Sequence, residues 1–186
     1  MPSLAVLALV LIGLYAFSRV RLVSSGEEGA QVSLLSEAAG ALGGGEGFDA
    51  IYQERAAALG LDWRLVKAIA QHESGENPDA VNEADNESLG LMQVYCQPDG
   101  QGGCKNKLNI PDWPPAGGRD SLLEPTINVY FGAAILAANV QAYGLPKAIA
   151  VYNAWDQHTA PAGGPFKNQA YVDDVLRRAA QLGYQP

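Results

Sequence analysis

From Phe48 to Gly183 the apolar side chains recur mostly at helical spacing, with little of the strict alternation that marks a half-buried strand. FDAIYQERAAALG brings Phe48, Ile51, Tyr52 and Leu59 to one side and stops at Gly60, a residue suited to closing a helix. DWRLVKAIAQHES follows, with Asp62 as its N-cap and Leu65, Val66 and Ile69 as its apolar stripe. TINVYFGAAILAANVQAYG predicts a longer helix with Ile127, Phe131, Ala134, Ile135 and Ala138 on one face, ending at Gly144. PKAIAVYNAW opens with Pro146 at a first helical position, and NQAYVDDVLRRAAQLG aligns Tyr171, Val172, Val175, Leu176 and Ala179. Strand signals are few, with a short hairpin expected near Leu89–Cys96. Two polar, Gly/Pro-rich stretches, Glu76–Glu87 and Gln97–Ser121, separate these elements, and loops of that length in a small domain tend to be functional. The expected fold class is mainly α, or α+β at most.

One position breaks the pattern. The stripe of the second helix runs through Leu65 and Ile69, and its next place is Glu73. A buried carboxylate resists ionisation, so its pKa rises, which is what a general acid at neutral pH requires. A glutamate there also suits a helix end or the partner of a cation, and the helix by itself leaves these readings open.

The N-terminus changes the picture in another way. From Pro2 to Ser18 there is no charge, and helix of that length reaches about 25 Å, at the short end of what spans a bilayer. Residues 1–23 are expected to form an uncleaved transmembrane anchor, with residues 2–18 as the lipid partner. A cleaved signal peptide is the rival reading, although a basic n-region and a clear A-x-A site are missing. Arg19 and Arg21 follow the apolar run, a weak vote for keeping the following domain on the cytoplasmic side. Residues 24–46, rich in Gly, Ser, Ala and Glu, read as a flexible tether, and 47–186 as the folded domain.

Hydrophobic residues make up 48% of the chain, enough for that domain to have a core. The net charge of −8 argues against a nucleic-acid partner, which needs a basic face, and leaves carbohydrate or peptide partners open. Cys96 and Cys104 lie in YCQPDGQGGCKNK, far in sequence from both histidines, which disfavours a metal site. They read as a disulfide-closed loop in an oxidising compartment, or as two free thiols in a reducing one.

The segments after Glu73 carry a resemblance. Glu73-Ser74 is followed by Asn77-Pro78-Asp79-Ala80, then Gly90-Leu91-Met92-Gln93, then Pro125 to Gly132 with Asn128, then Tyr152-Asn153, then Tyr171-Val172. In order and spacing, over roughly residues 48–176, this series resembles the soluble-lytic-transglycosylase type of lytic transglycosylase, of the lysozyme-like superfamily. The resemblance implies a lysozyme-like fold and cleavage of peptidoglycan between N-acetylmuramic acid and N-acetylglucosamine, with no cofactor and no metal. It implies that Glu73 is the catalytic acid and base, forming a 1,6-anhydro end. Ser74, Ser88, Met92, Gln93, Tyr152, Asn153 and Tyr171 are the implied substrate contacts: hydrogen bonds from Ser74, Ser88, Gln93 and Asn153, an apolar surface from Met92, and ring faces from Tyr152 and Tyr171, whose hydroxyls point toward Glu73. The chain departs from the family at Glu76, where an aromatic is usual, at Asn82, where serine is common, and at Trp155, where glycine is common. Asp85 and Glu87 are the candidates for a second carboxylate, which would allow a hydrolytic muramidase instead. A non-catalytic wall-binding protein is the other alternative. His72 reads as surface or as support behind the site, and His158 gives no distinct signal. The expected location is membrane-anchored and wall-facing, in a bacterial envelope or a phage virion, with assembly partners there.

Overall fold

A computed structural model describes residues 47–84, 86–154 and 165–186, within one compact unit, Glu46–Pro186. The expected anchor and tether, Asp85, Trp155 and His158 lie outside the described residues. Among the described residues no helix is long and apolar enough to cross a membrane.

The chain runs through α1 (Asp49–Leu59) and α2 (Trp63–Glu73) to a two-stranded hairpin, β1 (Ser88–Leu89) and β2 (Val94–Tyr95). A 3-10 turn, Arg119–Leu123, leads into α3 (Pro125–Tyr143), followed by α4 (Lys147–Ala154) and α5 (Gln169–Gln181). This is the mainly helical architecture with a short hairpin that the sequence predicts. The hairpin is antiparallel, with Ser88 opposite Tyr95 and Leu89 opposite Val94.

Local chemistry explains the helix ends. Gly60 closes α1 in the left-handed region at φ 68°, where its N–H reaches Ala56 and Ala57 carbonyls. Asp62 starts α2 by accepting from the Arg64 N–H at 2.9 Å. Pro146 stands just before α4 and its carbonyl accepts the first bonds of that helix, so the start falls one residue later than expected.

α3 is the central helix, packed against α1, α2, α4, β2 and the 3-10 turn. Its buried positions include Asn128, Val129, Gly132, Ala133 and Leu136. The expected face was rotated: Phe131 and Ala134 are buried, but Ile127 and Ile135 are half-buried and Ala138 is exposed. A helix that is apolar almost all round carries no polar face to set the phase of its stripe, and neighbours on several sides bury several faces. Leu59 is a second correction. It is 37% exposed, because the chain turns at Gly60 and sends Leu61 against the core instead.

The hairpin loop Gly90–Gln93 lies on α3 with no space to spare. A Cβ on Gly90, at φ 70°, would come within 2.4 Å of Asn128 Nδ2 and 2.5 Å of the Leu122 carbonyl. A Cβ on Gly132 would come within 2.5 Å of Met92 Sδ. Both glycines therefore permit close approach of backbone or side chain rather than flexibility. Beyond β2, Cys96 and Cys104 form a disulfide. Asn106 then ties the long loop back to the hairpin, accepting from Gln97 N–H at 2.8 Å and donating to the Tyr95 carbonyl at 3.1 Å. Trp113 donates to the Asn106 carbonyl and stands edge-on to Phe131 of α3, with ring centroids 5.3 Å apart.

Candidate active site

A cleft of about 560 Å³ opens between the hairpin, α3, α4 and the loop after the disulfide. Glu73, the last residue of α2, forms part of its wall. Ser74 fixes that helix end. Its Oγ donates to the Leu91 carbonyl at 2.8 Å and accepts from the Asn77 N–H at 3.1 Å, stapling α2 to the Gly90–Gln93 loop.

The Tyr171 hydroxyl, from α5, donates to Glu73 Oε1 at 2.6 Å. Burial pushes the Glu73 carboxyl above its ordinary pKa; the Tyr171 hydrogen bond, and after it the neighbouring His72, oppose that rise without cancelling it. Burial first, and then the Glu73 charge, drive the Tyr171 and Tyr152 phenols upward, so both stay protonated donors. Among the described residues lining the cleft, Glu73 is the sole carboxylate; Glu87 is not part of the lining. Among the described residues, no group of three or more His, Cys, Asp or Glu is placed to hold a metal ion.

The other expected contacts divide. Ser88, Gln93, Tyr152 and Asn153 line the cleft with Glu73. The Tyr152 hydroxyl donates to the Met92 carbonyl at 2.9 Å, which commits that donor to the Gly90–Gln93 loop. Gln93 Nε2 donates to the Gly90 and Ala80 carbonyls at 2.9 and 3.2 Å, which spends that nitrogen on holding the loop. Asn153 Oδ1 accepts from Asn168 Nδ2 at 3.0 Å, which commits that oxygen to the loop before α5.

Three of the expected contacts, Ser74, Met92 and Tyr171, are not among the residues that line the cleft. Ser74 serves the fold, with its hydroxyl engaged by backbone on both sides. Met92 is fully buried against Gly132 and presents no surface to a substrate. Tyr171 offers no ring face, since it is 7% exposed and reaches the site only through its hydroxyl.

Sequence reasoning missed one whole wall. Ile135, Ala138, Asn139, Ala142 and Tyr143 on α3 line the cleft together with Leu108, Asn109 and Ile110 from the loop after the disulfide. The available signal was Asn139, a polar residue in an otherwise apolar run four places after Ile135.

Tyr171 is testable by itself. Tyr171→Phe keeps the ring and removes the donor that favours ionised Glu73, so the Glu73 pKa should rise further. The alkaline limb of the pH–rate profile should move to higher pH while the maximal rate falls about tenfold. A profile unchanged in both respects would show that the phenol does not act on the carboxyl.

Comparison with known proteins places this geometry in context. The lytic transglycosylase Slt of Pseudomonas aeruginosa, solved as an inactive mutant, superposes with a TM-score of 0.55 at 22% identity, over 72% of this chain and 23% of that one. The 70-kDa soluble lytic transglycosylase in complex with bulgecin A gives 0.49 at 21% identity, over 72% of this chain and 19% of that one. The chain thus spans less than a quarter of the length of either protein. No curated protein matches it. Residues 50–172, a stretch that includes Glu73, the Gly90–Gln93 loop, Asn128 and Tyr171, match the transglycosylase SLT domain, and the chain belongs to that family.

Proposed function

We propose that the domain is a peptidoglycan lytic transglycosylase in which Glu73 acts alone, first as acid and then as base. The observation that carries this reading is a single carboxyl of raised pKa on the wall of the cleft, with a phenol 2.6 Å away to support its ionised form. Hydrolysis by paired carboxylates needs a second one across the scissile bond, and the described lining supplies none.

In the proposed sequence the Glu73 carboxyl gives its proton to the glycosidic oxygen between N-acetylmuramic acid and N-acetylglucosamine. The C1–O bond breaks and the glucosamine 4-hydroxyl leaves neutral. The Glu73 carboxylate, held by Tyr171, then takes the proton of the muramyl 6-hydroxyl as O6 bonds to C1. Glu73 ends protonated as it began, and no water is consumed. The intramolecular nucleophile is already close, so the site has no need to bind and activate a water. Asn153 offers its amide to the sugar, and Ser88 and the Tyr152 ring shape the subsite beside Glu73. The disulfide supports a location on the cell-wall side of the membrane, where disulfides persist.

The test is the mass of the products. Digestion of purified peptidoglycan by the full chain should yield muropeptides lighter by one water than hydrolytic ones. Reducing-end products carrying that water would replace this mechanism with a muramidase, and intact glycan would remove the enzymatic reading.

A further inference from the structure

The C-terminal turn of α2 meets α5 through two adjacent pairs, and only one of them belongs to the mechanism above. Glu73 pairs with Tyr171. Its neighbour His72 pairs with Asp174, Nδ1 to Oδ2 at 2.6 Å, one helical turn further along α5. The His72 ring also stands edge-on to the Tyr171 ring, with centroids 4.6 Å apart and planes at 78°. Asp174 is in turn held by both arginines of the next turn: Arg178 Nε at 2.6 Å, and Arg177 through Nη2. These hydrogen bonds, from Arg178, His72 and Arg177 in that order, hold the Asp174 carboxyl well below the usual carboxylate range, so it is an anion at any working pH.

A surface ion pair of this kind adds little stability. Four residues converge here on something more specific. Arg177 and Arg178 hold Asp174, Asp174 holds the His72 ring, and that ring packs at a steep angle against the Tyr171 ring. We propose that His72 and Asp174 are a positioning pair that locks the Tyr171 phenol onto the Glu73 carboxyl. His72 touches no substrate atom in this scheme. It acts through Tyr171 and through its position next to Glu73, where any positive charge it carries favours the carboxylate.

Among the described residues, three groups bear on the charge of Glu73. Tyr171 comes from α5, Tyr152 from α4, and His72 from α2 itself. Loss of His72 removes a neighbour that lowers the Glu73 pKa and loosens the donor that does the same. Both changes act in one direction.

This inference rests on Glu73 as the reacting group, so its test includes a readout that needs no turnover. The full chain, labelled with 13C at glutamate side-chain carboxyls, is titrated by NMR, with Glu73→Gln assigning the resonance. His72→Ala should raise the Glu73 midpoint by about half a pH unit or more. Asp174→Asn, which keeps the shape and loses the charge, should shift it the same way by less. His72→Phe restores a ring beside Tyr171 but loses the hydrogen bond to Asp174, so it should recover only part of the lost kcat. On peptidoglycan, His72→Ala should lower kcat about tenfold with KM unchanged. An unmoved Glu73 midpoint in a folded His72→Ala protein would overturn the proposal, whatever the activity. A shifted midpoint in a chain that releases no product would keep the positioning pair and overturn the enzymatic reading alone.

Discussion

Glu73→Gln should abolish glycan cleavage and leave a protein that is more stable than the parent. The first half follows from chemistry. One residue supplies the proton for the leaving group and accepts the proton of the nucleophile, so glutamine loses both steps. Each step of positioned proton transfer contributes about 10²–10⁴-fold, and a loss of at least 10³ in kcat is expected, with glycan binding retained. The second half follows from burial. The folded-state pKa of Glu73 lies above its unfolded value, so between the two the folded chain holds a proton that the unfolded chain has released. Stability is therefore lost as pH rises through that window. Glutamine has the same shape, can still accept from Tyr171, and never ionises. Below the ordinary carboxyl range the two proteins should melt together. Above the raised value the variant should melt higher, by roughly 3 °C. Parallel melting curves from acid to neutral pH, with no growing gap, would show that the carboxyl is not strained by its site.

The exception that betrays Glu73 in the sequence is this same strain. A carboxylate on an apolar stripe is visible without coordinates, and so are Asp62 and Gly60, whose capping chemistry is local. α2 and α5 were legible for the same reason: each carries a polar face that sets the phase of its apolar one. α3 was not. Its apolar residues run round the helix, and the decision about which of them face the core, the cleft or α1 is made by neighbours distant in the chain. The cleft wall at Ile135 and Tyr143 was lost with that phase. Met92 and Ser74 show a different limit. Their residue types suit a binding surface, and only the close approach of Gly132 and the Leu91 carbonyl shows that both are turned inward. The His72–Asp174 pair joins positions 102 residues apart and leaves no local trace at all.

Asn128 is the residue whose replacement should cost the fold most. It is the one fully buried polar side chain among the described residues, and it sits in the middle of α3. Both of its donors and its oxygen are engaged. Oδ1 accepts from the Met92 N–H at 2.8 Å, and Nδ2 donates to the Leu89 and Leu122 carbonyls, both at 2.7 Å. An amide has two donors on one side and an acceptor on the other, and here the backbone presents two acceptors and one donor. Only glutamine carries the same groups, and its amide stands one methylene further from the backbone. Asn128→Leu has a similar size but leaves an N–H and two carbonyls without partners in the core. Each such group costs about 1–3 kcal/mol, and a combined loss near 4 kcal/mol is expected, a large share of the about 5–15 kcal/mol that holds a domain together. Asn128→Asp separates shape from chemistry. The carboxylate can still accept from Met92, but its other oxygen faces two carbonyls, so it must hold a proton to remain folded. Its folded pKa will lie above its unfolded one, and stability should fall as pH rises through that interval. At acid pH the aspartate variant should melt above the leucine variant; near neutrality it should lose that advantage. The loop that Asn128 holds carries Gln93 into the cleft and presents the Leu91 carbonyl to Ser74, beside Glu73. Activity should therefore fail in these variants at temperatures where the helices are still folded. Equal melting temperatures for parent and Asn128→Leu would mean that the loop is held by Gly90, Gly132 and Met92 packing alone.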